Sequence, residues 1–365
     1  MTRTGCRASF AFRIGVLALL MLPLSAGPVR AGHLAVLPGE PVPDLEFEGL
    51  LVPEDYPRLG LPEGAGGFRL SQVAGEVLVL EFFNKACAPC QRQVRFLEAF
   101  HRTVEAGGLR GRVRILAVAV GNEARYLGTY RESRGLTFAI AADPQFDQWQ
   151  RLGDPGRTPF TMVLSRQEGE WVLSSSHFGV QLETEFLAHT RAALQGGVRP
   201  RHPRELEVAP AKAFEMPLDA AGFREAAQRL LARAVGRPVT LDLMTLQDGT
   251  RLYRAAAGGR RLDAYARLAS REPVCEVCHA VHFLFAFDSR GRLLGFEPVH
   301  VTKYGNEEWD EDDNRFFEGR LKGRTMAGMR FDPDVDAVTM ATMTSALIFD
   351  EVRRSADLVR LLPRP

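Results

Sequence analysis

The chain has 365 residues, which is enough for two ordinary domains, and 45% of them are hydrophobic. Its 46 lysines and arginines balance 45 aspartates and glutamates, so the formal net charge is only +1. This balance, without a basic block interleaved with aromatic residues, argues against a nucleic-acid-binding surface. We therefore expect no nucleic-acid partner.

The N-terminus has the pattern of an export signal. A basic segment precedes an apolar stretch at residues 14–24, which is shorter than a bilayer-spanning helix needs to be. Residues 29–31, Val-Arg-Ala, fit a small-x-small cleavage site. We predict that residues 1–31 are a signal peptide, that the protein is exported to the periplasm or another extracytoplasmic space, and that the mature chain has no transmembrane helix.

The cysteines are arranged as two local pairs. Cys6 lies in the predicted signal peptide, and the other four form two C-x-x-C motifs, Cys87 with Cys90 and Cys275 with Cys278. A secreted scaffold built on disulfides would distribute its cysteines to link distant loops. Two local pairs indicate redox or metal chemistry instead.

The first part of the mature chain is predicted to be an α/β domain. An extended lead-in rich in Pro and Gly, residues 32–67, precedes it. The predicted strands are residues 77–83, 112–120, 136–143, 159–164 and 170–180, and the predicted helices are residues 89–104, 124–134 and 183–194. Strand–helix alternation that ends in a hairpin is typical of a mixed α/β sheet, so we assign residues 68–197 to this domain.

A linker and a second, α+β domain are predicted to follow. Gly, Pro and charged residues cluster near the start of residues 198–218, which is linker composition. Residues 219–365 form the second domain. Its predicted elements are a helix to about residue 234, strands at 239–243, 252–255, 281–287 and 293–301, a helix after Asp310, and a last helix at about 344–361. Asp310 is expected to cap its helix, whose acidic first turn suits the positive end of the helix dipole.

The first cysteine pair lies between a predicted buried strand and a helix. At the helix N-terminus, unpaired N–H groups and the helix dipole favour a thiolate on Cys87, which we expect to be exposed and nucleophilic. Cys90, one turn later, should be covered and should resolve the mixed disulfide. Glu81 lies in the strand, where burial would raise its pKa and let it move protons for the buried thiol.

Thr158 and Pro159 follow a predicted loop and precede a strand. The thioredoxin fold has a cis-proline facing the dithiol at this place, which leaves neighbouring backbone free to pair with a bound peptide. With the C-x-x-C and the acid at Glu81, these residues make the chain from about 42 to 197 resemble the exported thioredoxin family of the TlpA and ResA type.

The resemblance implies a thioredoxin-like fold and a thiol–disulfide oxidoreductase. Its partners would be thiols and disulfides of exported proteins, and thiol exchange would need no cofactor. The chain departs from the pattern at Ala86, where thioredoxins usually have Trp. A peroxiredoxin would need Pro and Thr or Ser ahead of its reactive cysteine, and Cys87 has neither.

A second informative segment lies near the C-terminus. Thr339, Thr342, Thr344 and Ser345 cluster at the start of a predicted helix with an apolar stripe. Hydroxyl and free N–H groups at a helix N-terminus can bind phosphate, whereas ordinary capping usually needs only one hydroxyl.

The pattern Asp336-x-x-Thr339-x-Ala341-Thr342 resembles the motif of FMN-binding domains in the flavin-carrying subunits of Rnf- and Nqr-type redox pumps. The resemblance covers about residues 275–354 and implies an FMN-binding-like fold. In that family the threonine that matches Thr342 carries FMN through a phosphoester. The family usually has Gly where this chain has Met340.

The second cysteine pair allows three chemistries. Cys275, Cys278 and His279 spell C-x-x-C-H, the attachment signature of haem c. The two cysteines alone could be a disulfide or dithiol pair that exchanges with the first pair. With His282 and His300 they could hold zinc. These chemistries exclude one another because each uses the same two sulfurs.

The sequence therefore allows two functions for the whole chain. The first is an extracytoplasmic thiol–disulfide oxidoreductase that relays electrons to or from a C-terminal redox domain. The alternative is an electron-transfer protein with haem c or FMN as its working centre, in which the thioredoxin-like domain serves as a docking module.

Overall fold

The computed structural model describes residues 34–198, 217–274 and 280–363. The predicted signal peptide, residues 199–216 of the predicted linker and the C-x-x-C-H motif at residues 275–279 lie outside these ranges. Within the described ranges, none of the helices combines the length and the apolar character that crossing a bilayer requires.

The first domain is a thioredoxin-like α/β unit. Its strands are β1 (Glu46–Phe47), β2 (Phe68–Arg69), β3 (Val77–Phe83), β4 (Val113–Val120), β5 (Ala139–Asp143), β6 (Phe160–Gln167) and β7 (Glu170–Phe178). Its helices are α1 (Asp55–Arg58), α2 (Ala88–Ala106), α3 (Leu127–Arg134), α4 (Asp147–Arg151) and α5 (Glu183–Leu194). Short 3-10 turns lie at Leu70–Gln72 and Ala124–Tyr126.

The main sheet of this domain has the strand order β5-β4-β3-β6-β7. Strands β3, β4 and β5 are parallel, whereas β6 and β7 are antiparallel to their neighbours. The central strand β3 is buried along its whole length, which explains its unbroken apolar sequence. Val77, Val79 and Phe83 pack on the side of α2 and α5, and the alternating residues Leu78 and Leu80 pack on the other side.

The predicted lead-in is packed against the domain rather than extended. Leu45 and Phe47 are buried, and β1 pairs with β2 in a two-stranded sheet. Isolated bridges join Pro41 to Val172 and Leu50 to Ala141. The apolar residues of this segment cover the second face of the main sheet, which would otherwise expose its own apolar side chains to water.

The second domain is β-rich with helices on both sides. Its main elements are α6 (Ala220–Val235), β8 (Thr240–Thr245), β9 (Arg251–Ala257), β10 (Arg260–Arg271), β11 (Val281–Phe287), β12 (Leu293–His300), α7 (Glu311–Leu321), α8 (Thr342–Arg354) and α9 (Leu358–Leu361). The antiparallel sheet has the order β12-β11-β10-β9-β8. A small pair, β13 (Thr302–Lys303) and β14 (Glu307–Glu308), precedes α7. The FMN-binding-like identity of this domain stays a prediction.

Two features of the second domain differ from the sequence prediction. Strand β10 was not expected, because arginines interrupt its apolar alternation; Arg267 and Arg271 form ion pairs with carboxylates of α8. The predicted last helix is divided into α8, a 3-10 turn at Ser355–Asp357 and α9. The cap at Asp310 is present, since its side chain accepts hydrogen bonds from the N–H groups of Asp312 and Asp313 at 3.0 and 2.9 Å.

The two domains share one apolar core and a set of polar contacts. The side chain of Gln145 exchanges two hydrogen bonds of 3.1 Å with the backbone of Phe331. Arg353 of α8 pairs with Asp147 at 2.9 Å. One continuous cluster of buried side chains contains residues of both domains, so the two domains pack against each other.

Candidate active site

The turn between β3 and α2 is held by Asn84. Its Nδ2 donates a 2.7 Å hydrogen bond to the carbonyl of Val120, and its Oδ1 accepts one of 2.8 Å from the N–H of Ala86. The backbone carbonyl of Asn84 accepts a hydrogen bond from Cys87 N–H at 3.1 Å. This network fixes the first cysteine at the end of a rigid, buried strand.

Cys87 is the N-cap residue of α2, as its position in the sequence predicts. Its Sγ accepts a 3.4 Å hydrogen bond from the N–H of Cys90, and Pro89 occupies the first turn, where no N–H donor is needed. Cys90 is a free thiol and fully buried. Burial raises the pKa of the Cys90 thiol, and its hydrogen bond with Cys87 and the charge on Cys87 add to this effect. Cys90 is therefore a fully buried thiol with a raised pKa.

The expected exposure of Cys87 is wrong. Only 2% of its surface is accessible. The thiol lies in the apolar cluster between β3 and α2, and it also donates a hydrogen bond of 3.5 Å to the carbonyl of Thr158. The expectation came from the helix terminus alone and took no account of the first-domain side chains that surround the thiol in this cluster.

Thr158 connects the cysteine to the second domain. The Thr158–Pro159 peptide bond is cis, and Thr158 is buried. Its N–H donates a 2.8 Å hydrogen bond to the carbonyl of Val274, and its Oγ1 donates a second of 2.9 Å to the same atom. Val274 directly precedes Cys275 in the sequence.

Glu81 lies on β3, on the face that α2 covers, and is fully buried. Its Oε2 accepts a 2.5 Å hydrogen bond from the hydroxyl of Thr161, whereas Oε1 has no hydrogen-bond partner in the described part of the chain. Burial raises the pKa of Glu81 to about 8; the Thr161 hydrogen bond opposes this rise, and charge on Cys87 adds to it. A carboxyl with this pKa can exchange protons near neutral pH.

Sequence reasoning missed three residues of this site. Asn84 could have been found from its place just before the cysteine motif, since Asn commonly pins turns through its side chain. Thr161 could have been found from the register of β6 against β3, which places it opposite Glu81. Nothing local in the sequence pointed to Val274, which lies 116 positions from Thr158.

Two of the predicted phosphate-binding hydroxyls already serve the backbone of the second domain. Thr344 donates a 2.7 Å hydrogen bond to the carbonyl of Thr302. The hydroxyl of Ser345 accepts one of 3.1 Å from the N–H of Val338. These contacts fasten the start of α8 to neighbouring segments, which is a structural role.

The other residues of that motif are divided between buried and exposed positions. Asp336 is buried and pairs with Arg324 at 3.1 Å. Thr339 and Thr342 are exposed, and Thr342 is the first residue of α8. Met340 has a φ of 61°, in the left-handed region that favours glycine, and the flavin-binding family usually has Gly at this place.

The two histidines of the zinc alternative lie opposite each other on β11 and β12. Their ring centroids are 6.3 Å apart, and Nδ1 of His282 is 2.9 Å from the hydroxyl of Ser270. Burial lowers the pKa of His282 to about 4, and charge on His300 adds to this effect. The described residues contain no group of three metal-ligating side chains, and Cys275 and Cys278 fall outside them.

Residues 38–167 match the AhpC/TSA family. The thiol-disulfide oxidoreductase ResA of Geobacillus kaustophilus (strain HTA426) is 32% identical over 98 residues, which is 27% of this chain and 53% of the relative. ResA of Geobacillus thermodenitrificans (strain NG80-2) is 31% identical over the same shares. This chain therefore spans about half the length of the curated relatives it matches.

Solved structures of similar proteins each cover less than half of this chain. A secreted thiol-disulfide isomerase from Corynebacterium glutamicum is 20% identical, with a TM-score of 0.34, and covers 42% of this chain and 85% of its own. A thioredoxin-family thiol:disulfide interchange protein from Chlorobium tepidum TLS is 16% identical, with a TM-score of 0.33, and covers 42% and 97%. The family match and the ResA relatives identify the first domain as thioredoxin-like and related to ResA, and the family match ends before the second domain begins.

Proposed function

We propose that this protein is an extracytoplasmic thiol–disulfide oxidoreductase in which Cys87 is the nucleophile and Cys90 the resolving thiol. The observation that supports this most directly is the placement of Cys87 at the N-cap of α2 with Cys90 fully buried one turn later. The relationship to ResA supports the same reaction class. The export signal in the sequence supports the compartment.

The exchange proceeds in two balanced steps. The Cys87 thiolate attacks one sulfur of a substrate disulfide, and the other substrate sulfur leaves as a thiolate and takes up a proton. Cys90 then loses its proton and attacks Cys87, which releases the second substrate thiol. Two electrons and two protons pass to the substrate, and the pair ends as a Cys87–Cys90 disulfide.

Glu81 is proposed to serve the second step as the proton acceptor for Cys90. Thr161 holds one of its carboxyl oxygens, and the other has no hydrogen-bond partner within the described ranges. Its pKa of about 8 lets it accept a proton near neutral pH, which a normal carboxyl pKa would not favour. Thr158 and Pro159 are proposed to position the substrate beside the sulfur.

We further propose that Cys275 and Cys278 form a second redox pair that exchanges with the first. Val274, the residue before Cys275, is hydrogen-bonded to Thr158, whose carbonyl is 3.5 Å from Cys87 Sγ. If the second pair is a disulfide, attack by Cys87 and then by Cys90 would reduce it and oxidise the first pair. Partners of the relay would be thiols and disulfides of exported proteins.

Two alternatives compete with this relay because they use the same two sulfurs: haem c at Cys275, Cys278 and His279, and zinc held with His282 and His300. FMN at Thr342 could be present in addition to the relay. A visible spectrum and an intact mass of protein made with haem-attachment and flavin-transfer machinery separate them. The relay predicts a colourless protein of unmodified mass. A covalent Soret band would instead move the protein to the electron-transfer class, and an added FMN mass on Thr342 would make the second domain a flavin carrier.

A single-turnover assay tests the proposed function. The reduced full chain is mixed with a peptide that contains one disulfide, and each cysteine is read by alkylation and peptide mass spectrometry. Wild type should oxidise Cys87 and Cys90 as the peptide is reduced, and Cys87→Ser should abolish this reaction. A Cys275→Ser/Cys278→Ser control should keep it. Equal peptide reduction by wild type and Cys87→Ser would overturn the proposal.

A further inference from the structure

Resting on the proposed thiol exchange, we infer that residues 271–274 act as an internal ligand that occupies the substrate-docking position at Thr158. A protein substrate would then have to displace this segment before it reaches Cys87. The second domain would thus stay bound beside the dithiol whenever no substrate is present.

The hydrogen bonds at Thr158 support this inference. An extended peptide that joins a folded domain takes its affinity from main-chain hydrogen bonds. The main-chain donor of the residue before the cis-proline, Thr158 N–H, is already bonded to the carbonyl of Val274 at 2.8 Å, and Oγ1 of Thr158 is bonded to the same carbonyl. Thr158 and Val274 are 1% and 4% exposed, so an external peptide meets neither of them in this state.

The position of this contact matches what a substrate needs. The carbonyl of Thr158 lies 3.5 Å from Sγ of Cys87, so a peptide bonded to the N–H of the same residue lies beside the nucleophile. Cys87 itself is almost inaccessible. The internal ligand therefore occupies the docking donor beside a sulfur that is itself almost inaccessible.

An ion-pair anchor holds the other end of the segment. Nη2 of Arg271 lies 2.9 Å from Asp350 on α8, and Nη1 lies 3.5 Å from Asp154, in the loop that leads to Thr158. The Arg271 side chain is only 14% exposed. Asp154 is also paired with Arg354, with one contact of 3.0 Å, so the loop and the internal ligand are tied to the same helix.

Arg271→Ala removes the anchor without touching the dithiol, and Arg125→Ala is its control. Arg125 pairs with Asp332 at 2.5 Å and Asp334 at 3.1 Å, another contact between the domains. The full-length variants are compared in two measurements. The first is the rate at which iodoacetamide alkylates Cys87, read by peptide mass spectrometry. The second is the KM and kcat for a peptide disulfide in the presence of a small-molecule reductant.

Arg271→Ala should raise the alkylation rate of Cys87 and lower KM for the peptide, each by about fivefold or more, because both scale with the undocked population. The kcat should be unchanged, and Arg125→Ala should match wild type in both measurements. If Arg271→Ala does not fold, Asp154→Asn weakens the same anchor and should give changes in the same direction.

Two outcomes separate the inference from the proposed function. If peptide reduction depends on Cys87 but Arg271→Ala and Asp154→Asn leave both its alkylation and the KM at wild-type values, the internal ligand is refuted and the thiol chemistry stands. If Cys87→Ser reduces the peptide as fast as wild type, the proposed function itself fails.

Discussion

The carbonyl of Val274 accepts hydrogen bonds from both the N–H and the hydroxyl of Thr158, at 2.8 and 2.9 Å. This contact joins the residue that precedes the second cysteine pair to the loop that faces the first. Because the carbonyl of Thr158 is 3.5 Å from Cys87 Sγ, the two domains meet at the candidate nucleophile.

Replacing Glu81 should change how the resolving step depends on pH. In wild type, the rate of Cys90 attack should rise with pH toward about 8, where Glu81 loses its proton, and then level off. Glu81→Gln should slow this step more than the initial attack of Cys87 and should remove that part of the pH profile. Rapid-quench kinetics of the mixed disulfide measure both steps. Equal slowing of the two steps would count against the proton-acceptor role.

The same substitution should change the pH dependence of stability. The folded-state pKa of Glu81 is about 8, above its ordinary value of 4.5, so the folded state binds the proton more tightly. The free energy of unfolding of wild type should therefore fall as pH rises from 4.5 to 8, by about 1.4 kcal/mol per pKa unit of difference at most. Glu81→Gln should lose the Glu81 share of this decline in urea titrations, while the share of Asp143, whose pKa burial raises to about 7, should remain. Parallel profiles for the two proteins would contradict the raised pKa.

Asn84→Ala should destabilise the turn that presents the cysteines. It removes hydrogen bonds to the Val120 carbonyl and from the Ala86 N–H, and it leaves the buried carbonyl of Val120 without this partner. We expect the free energy of unfolding to fall by about 1–3 kcal/mol. Asn314→Ala is the matched control, because the buried Oδ1 of Asn314 has no hydrogen-bond partner among the described residues. Urea unfolding that shows equal losses for both variants would argue against the role of Asn84.

Asp350 should contribute strongly to the free energy of unfolding through ion pairs near the contact between the domains. The carboxylate is buried and pairs with three arginines, Arg271 at 2.9 Å, Arg353 at 3.1 Å and Arg354 at 2.8 Å. Asp350→Ala removes the buried carboxylate that these three guanidinium groups share, although Asp147 and Asp154 still pair with them, and should cost about 3–5 kcal/mol of unfolding free energy. The exposed pair of Asp242 with Arg261 provides the control, since Asp242→Ala should cost about 1 kcal/mol or less. If Asp350→Ala lowers the free energy of unfolding as little as Asp242→Ala does, the ion pairs of Asp350 contribute little to stability.

The sequence predicted local features well because local patterns determine them. The unbroken apolar run of β3, the helical spacing of α2 and the turn residues around the β6–β7 hairpin each indicate their element without reference to the rest of the chain. The thioredoxin-like fold follows from their order. Strand β10 was not predicted because arginines interrupt its apolar alternation. Their ion pairs with carboxylates of α8, far along the chain, cannot be read from the local sequence.

The contacts that alter the site are those between distant segments. The apolar residues of the lead-in gave no sign that they would cover a sheet, and the helix terminus at Cys87 gave no sign that the thiol would be covered. The first outcome depends on the folded sheet of the first domain, and the second depends on the side chains that surround the thiol, so both need distant segments to have folded together. The bond from Thr158 to Val274 belongs to the same class, since its partners are 116 positions apart.

In the proposed reaction Cys87 attacks the substrate disulfide and Cys90 resolves the mixed disulfide. Trapping of the mixed disulfide tests this order of attack most directly. Reduced full-length Cys90→Ser is incubated with a peptide disulfide, quenched in acid and digested without reductant, and the cross-linked cysteine is identified by mass spectrometry. We expect a stable peptide adduct on Cys87 in Cys90→Ser and almost none in Cys87→Ser. Equal adduct formation in Cys87→Ser, with the peptide attached to Cys90, would contradict it.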